Sequence, residues 1–187
     1  MSLYATGSQT VGPYLHIGLT WLTTQNIAPA GVPGERVTVQ GRLLDGDGAP
    51  VNDGLIEIWQ ANALGKYAHP EDRQKKGLHK RFRGFGRMPT DERGAFRFTT
   101  IKPGSVPGPQ GRAQAPHLVV GVFMRGLLKQ LATRMYFPDE PGNRRDPLLS
   151  LVPEARRVTL VATRKSRGTL EWNIVLQGKG ETVFFDF

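Results

Sequence analysis

No cysteine occurs among the 187 residues, so neither disulfides nor thiolate metal sites support this chain, which fits a reducing compartment. No apolar run approaches the roughly 20 residues of a membrane span. The opening stretch Met1 to Ser8 also lacks the charged region and apolar core of a signal peptide. A cytoplasmic protein without a membrane partner is expected. Histidine is sparse, at four residues. Of these, His16, His69 and His79 have no second donor at strand or helix spacing and read as surface or turn residues rather than metal ligands. Acidic residues are the scarcer charge, 16 against 25 lysines and arginines, for a net charge of +9. Such an excess can draw in nucleic acid, an acidic protein or small anions. Its densest cluster, Arg73, Lys75, Lys76, Lys80, Arg81, Arg83 and Arg87, carries no finger, heptad or RNA-binding signature and reads as a solvated loop. No nucleic-acid partner is expected.

What the chain does have is strand periodicity. Val37, Val39 and Leu43 alternate with polar residues, and Asp45-Gly46-Asp47-Gly48 supplies a reversal. Leu55 to Gln60 puts Leu55, Glu57 and Trp59 on one face and Ile56 and Ile58 on the other, so Glu57 must reach solvent or find a partner. Ala95 to Thr100 turns both phenylalanines to one side. His117 to Phe123 is apolar throughout, as in a strand buried on both faces. Ala132 to Phe137, the strictly alternating Leu170 to Gln177 and the tail Val183 to Phe187 complete the set. Helix is scarce; the best start is Asp146 as N-cap before Pro147. The length suits one domain, residues 1–187, with an N-terminal arm over 1–34 and a mainly β, antiparallel or mixed sandwich over 35–187 carrying one or two short helices.

The order Val39-x-Gly41-x-Leu43, Gly48, Val51, Ile56-Glu57-Ile58 and Gly65-x-Tyr67 resembles the signature of the intradiol ring-cleavage dioxygenases, non-haem iron(III) enzymes that split catechols between their two hydroxyls. Ile101-Lys102-Pro103-Gly104, Ala115-Pro116-His117, Tyr136-Phe137 and the ending Gly180-Glu181-Thr182-Val183-Phe184-Phe185-Asp186-Phe187 are similar to one branch, which acts on protocatechuate and is built from homologous alpha and beta chains. The similarity runs from about Ser8 to the C-terminus and implies an intradiol-type β-sandwich.

The family holds Fe(3+) with two tyrosinates and two histidines, hard donors that favour the ferric state. By resemblance, Tyr67 and His117 occupy the first tyrosine and first histidine positions. Val106 stands where the second tyrosine belongs and Val119 where the second histidine does, and valine offers no lone pair. Gln114 replaces an arginine common three residues before the first histidine. The resemblance therefore implies no metal and no catalytic residue on this chain alone. It implies a partner, the homologous beta subunit, that carries the iron and acts with O2 on a small aromatic carboxylate in alpha/beta protomers of a larger oligomer. Thr10, Gly12, Pro13 and Tyr14 of the arm, and Arg125 after the apolar strand, would line that partner's substrate pocket. A non-catalytic binding or scaffold sandwich is the alternative.

Overall fold

The computed structural model describes residues 17–18 and 20–186. Eleven strands are present among them: β1 (Arg36–Leu44), β2 (Leu55–Trp59), β3 (Phe85–Pro89), β4 (Ala95–Ile101), β5 (Val106–Pro107), β6 (Ala113–Gln114), β7 (His117–Phe123), β8 (Leu131–Tyr136), β9 (Thr163–Ser166), β10 (Thr169–Glu171) and β11 (Ile174–Val175). The first sheet places β1 between β4, which runs antiparallel to it, and the parallel pair β10 and β11, with β9 beyond β10. The second sheet has the antiparallel order β3-β2-β7-β8. Strands β5 and β6 form a small ribbon of their own.

The two sheets meet face to face because each strand turns alternate apolar side chains inward. Val37, Val39 and Leu43 of β1, Phe96 and Phe98 of β4, and Leu170 and Ile174 join one core with Ile56, Ile58, Met88, Leu118, Val120, Val122 and Met135 from the other sheet. The expected double burial of β7 does not occur. Leu118, Val120 and Val122 are fully buried in the sandwich, whereas Val119, Gly121 and Phe123 lie half-covered on the outer face. That outer face carries the candidate site.

The alternating stretch from Leu170 is also not one strand. It breaks at Trp172 and Asn173 because the Trp172 carbonyl passes directly over Gly41, where an added Cβ would meet that oxygen at 1.7 Å. The Asn173 side chain then takes the place of a ladder carbonyl, accepting from the Arg42 amide at 2.9 Å. The tail makes a single bridge, Phe185 to Ala132, instead of a strand. Thr133 explains this in part, since its hydroxyl donates to the Val183 carbonyl at 2.6 Å and takes up a group that would otherwise serve a ladder.

Glu57 finds its partner across the sheet, accepting from Arg87 Nε at 2.6 Å, so one member of the basic cluster belongs to a strand. Asp146 does cap the segment after it, accepting from the amides of Leu148 at 2.9 Å and Leu149 at 2.8 Å. Only a 3-10 turn, Leu149–Leu151, follows before Pro153, and the short α-helix is Glu154–Arg157. The later part of the arm docks on both sheets through bridges from Thr24 to Arg87 and from Asn26 to Thr99. Thr10, Gly12, Pro13, Tyr14 and His16 lie outside the described residues.

Candidate functional site

Two loops are locked together before any functional side chain is placed. Asn62 organises the first, its side-chain oxygen accepting from the amides of Leu64 at 2.9 Å and Lys66 at 3.0 Å, while its nitrogen donates to the Gly77 carbonyl at 2.7 Å. Its backbone carbonyl accepts from both Gly65 and Gly104, each at 2.9 Å. Gly65 sits at φ 77°, and an added Cβ would stand 1.9 Å from the Ser105 carbonyl oxygen. No side chain fits there. The Gly65-x-Tyr67 and Lys102-Pro103-Gly104 motifs are thus two sides of one junction, and it brings Tyr67 to Val106.

Together these residues line an open cleft of about 600 Å³ with Trp59, Arg73, Pro107 and Gln114. Tyr67 stacks on Trp59, ring centroids 5.9 Å apart and planes 9° from parallel, and its amide donates to Asp72 at 2.8 Å. His117 and Val119 lie on β7 with side chains on the outer face, and His117 is 3% exposed. The His117 Nδ1 donates to the Ala115 carbonyl at 2.7 Å, which leaves Nε2 as the lone-pair nitrogen. Its ring lies 5.8 Å from that of Tyr136, whose hydroxyl donates to the buried Asp146 at 3.0 Å.

The sequence reading missed Arg134. It faces Val119 across the β7–β8 pair, and its Nη1 donates to Gln114 Oε1 at 2.6 Å. Its signal was available: in β8 the core-facing side is Thr133 and Met135, so a cation between them must lie on the outer face beside the site. The charge is felt throughout. Burial raises the Tyr67 phenol above its ordinary value, with Asp72 adding to the rise and Arg134 opposing both. Burial and Asp146 likewise push Tyr136 upward against Arg134. Burial, and then Arg134, hold His117 down at about 4, despite the opposing pull of the Ala115 carbonyl and Asp146. At neutral pH Tyr67, Tyr136 and His117 are therefore all neutral, and Arg134 is a cation that acts on each of them.

Ferric iron does not fit this set. Tyr67 and His117 retain donor atoms, Val106 and Val119 have none, and among the described residues no group of three or more histidines and carboxylates gathers. Arg125 is not part of the same place. It follows β7 beyond Phe123, itself roughly 20 Å from His117 at about 3.3 Å per residue, and it is 66% exposed beside Asp53, with which it pairs.

A family model described as dioxygenase matches residues 22–178. The chain is 40% identical to the protocatechuate 3,4-dioxygenase alpha chain of Burkholderia cepacia, over 99% of this chain and 98% of that relative. The chain belongs to the intradiol dioxygenase family. This dioxygenase-family chain is also 40% identical to the beta chain from the same organism, over 94% of its own length and 77% of the relative's. Overall identity thus does not separate the two kinds of chain. Among solved structures, the dioxygenase domain of a dioxygenase and carbohydrate-binding fusion from Streptomyces sp. SirexAA-E superposes with a TM-score of 0.65 at 26% identity, covering 83% of this chain and 88% of that one.

The buried imidazole gives this family member a testable pH response. Unfolded, His117 binds a proton near its ordinary value of 6.5; folded, it does so only near 4. Its contribution is therefore complete above pH 6.5 and drains away as pH falls toward 4, by on the order of 3 kcal/mol. Urea unfolding of the parent and of His117→Asn at pH 7 and pH 4.5 checks this. The variant should lose about 2 kcal/mol less stability than the parent over that range; superimposable pH profiles would show that His117 does not titrate this way.

Proposed function

We propose that this chain is the iron-free alpha-type subunit of a protocatechuate 3,4-dioxygenase. It pairs with a homologous beta-type subunit that binds Fe(3+) and performs the O2-dependent intradiol cleavage of protocatechuate to 3-carboxy-cis,cis-muconate. The observation that carries this reading is the pair Val106 and Val119, two donor-free side chains, one lining the cleft and the other beside its Trp59, in a chain that otherwise keeps the family's scaffold. Chemistry that requires iron then belongs to another chain, and the alpha and beta relatives indicate its kind. The position of Arg125 supports the same division. A guanidinium far from its own chain's cleft and open to solvent is suited to meet the carboxylate of a substrate held by a partner, with Thr10, Gly12, Pro13 and Tyr14 lining the same mouth. Alone, the chain is inactive. The complex is cytoplasmic.

Co-expression with a beta-type homologue bearing both tyrosines and both histidines tests the reading. The two chains should copurify with about one iron per pair and the visible absorption of tyrosinate bound to ferric iron, while the chain alone should be colourless and inactive. Stoichiometric iron or turnover in the isolated chain would overturn it. Failure of the chains to associate would favour a non-catalytic scaffold.

A further inference from the structure

The cleft has lost more than two donors. We propose that Arg134 is a built-in barrier to metal in this chain, so that restoring the two missing donors leaves the site empty until the guanidinium is removed as well.

The placement is the first support. Trp59, Val119 and Arg134 are successive partners across β2, β7 and β8, and directly paired residues share a face of a sheet. The next row on that face is His117 and Tyr136. Arg134 therefore emerges diagonally from His117 and directly opposite Val119. Its anchoring is the second support. Gln114, which holds Nη1 at 2.6 Å, donates in turn to the Pro107 carbonyl at 2.8 Å and pairs with Val106 in the β5–β6 ribbon. The guanidinium is thus tethered between the two valine positions, beside both surviving donors.

Its charge is also without a direct counter-ion, since Asp72 and Asp146 oppose it only at the neighbouring rings. No ion pair joins Arg134 to a carboxylate among the described residues, and its Nε is buried without a hydrogen-bond partner. Arginine stays protonated in any protein environment and offers no lone pair to a metal. Paired with Val119, one row from His117 and held by Gln114, the guanidinium is within electrostatic reach of anything bound beside those residues. A trivalent ion a few ångströms from a fixed positive charge, at the effective dielectric of a partly buried site, should bind at least about a hundredfold more weakly than without that charge. Loss of donors alone would leave a tyrosine and a histidine free to gather stray metal; the guanidinium prevents this.

The test uses the full chain and two matched variants, Val106→Tyr/Val119→His and the same pair with Arg134→Gln, which keeps an amide beside Gln114. Each is exposed to ferrous iron, oxidised and desalted, and then read for iron content and for tyrosinate-to-iron absorption. The double variant should remain iron-free and colourless, and the triple variant should hold about one iron per chain with the visible band. Equal occupancy of the two, whether both are filled or both are empty, would overturn the proposal. Should the triple variant fail to fold, cobalt(II) titration of Val119→His with and without Arg134→Gln replaces it. At least about a hundredfold tighter cobalt binding without the arginine supports the barrier, and equal binding overturns it.

Discussion

Asp146→Ala should destabilise the fold by about 3 to 5 kcal/mol, among the larger single-residue effects expected of any domain. Asp146 is fully buried and its two oxygens serve four donors: the Ala115 amide at 2.8 Å, the Tyr136 hydroxyl at 3.0 Å, and the amides of Leu148 at 2.9 Å and Leu149 at 2.8 Å. Three of these converge on Oδ1 and the Ala115 amide takes Oδ2, so both oxygens are engaged. Alanine leaves all four donors stranded, each costing about 1 to 3 kcal/mol, and entering water recovers only a part. Asp146→Asn preserves the volume and one oxygen, and should lose roughly half as much. Urea midpoints at pH 7 for the three proteins measure the series. A loss below about 1 kcal/mol for alanine would mean that the segment from Pro141 to Leu151 holds its place without this residue. The consequence reaches the site, because Ala115 also accepts from His117.

The second large effect concerns turnover in the two-chain complex and rests on the proposed function. Arg125→Leu should reduce the specificity constant for protocatechuate ten- to a hundredfold. A charge-assisted hydrogen bond contributes roughly 1.5 to 3 kcal/mol, and about 1.4 kcal/mol is a factor of ten. Stability should hardly change, since the partner of Arg125 in the free chain is Asp53 and the arginine is 66% exposed, and exposed pairs of this kind contribute little. Iron content and colour should also be unchanged. Unsubstituted catechol, which has no carboxylate, should be affected far less, and added salt should slow protocatechuate turnover more in the parent than in the variant. Steady-state kinetics on both substrates at two ionic strengths decide the matter. Equal losses on both substrates would assign Arg125 a structural role, and no loss on either would remove it from the substrate's path.

The strands were legible wherever inward and outward residues differ in polarity, as in β1, β2 and β4. The reading failed where a side chain replaced a backbone group. Asn173 and Thr133 each take up a hydrogen bond that a ladder would use, and periodicity is blind to such an exchange. It failed again on β7, where Val119, Gly121 and Phe123 are apolar yet only half-buried, because an apolar run does not say what covers it. At the site, Tyr67, Val106, His117 and Val119 were named by motif, and the structure puts Tyr67 and Val106 in one cleft and His117 and Val119 on one face of β7. Motif did not name Arg134; alternation puts it on the outer face of β8, but its importance comes from facing Val119 across a strand pair, and that register is a tertiary fact. Asp146 was visible only as a cap. Its role as a hub depends on Ala115, 31 residues away in the chain.

Strand β1 has its antiparallel neighbour β4 close in sequence, but its parallel neighbours come last: the Arg42 amide waits for Asn173, 131 residues downstream. A chain emerging from the ribosome at about 5 to 20 residues per second therefore leaves that flank of β1 unpaired for on the order of ten seconds. Pairing so remote in sequence also places folding in the slow, high-contact-order regime. During this interval the bare edge beside Val37, Val39 and Leu43 is a template for any extended segment nearby. Order of synthesis thus makes the C-terminal segment a closing piece, and a chain cut short before Thr169 would keep its sandwich half-zipped and its longest strand open to other molecules.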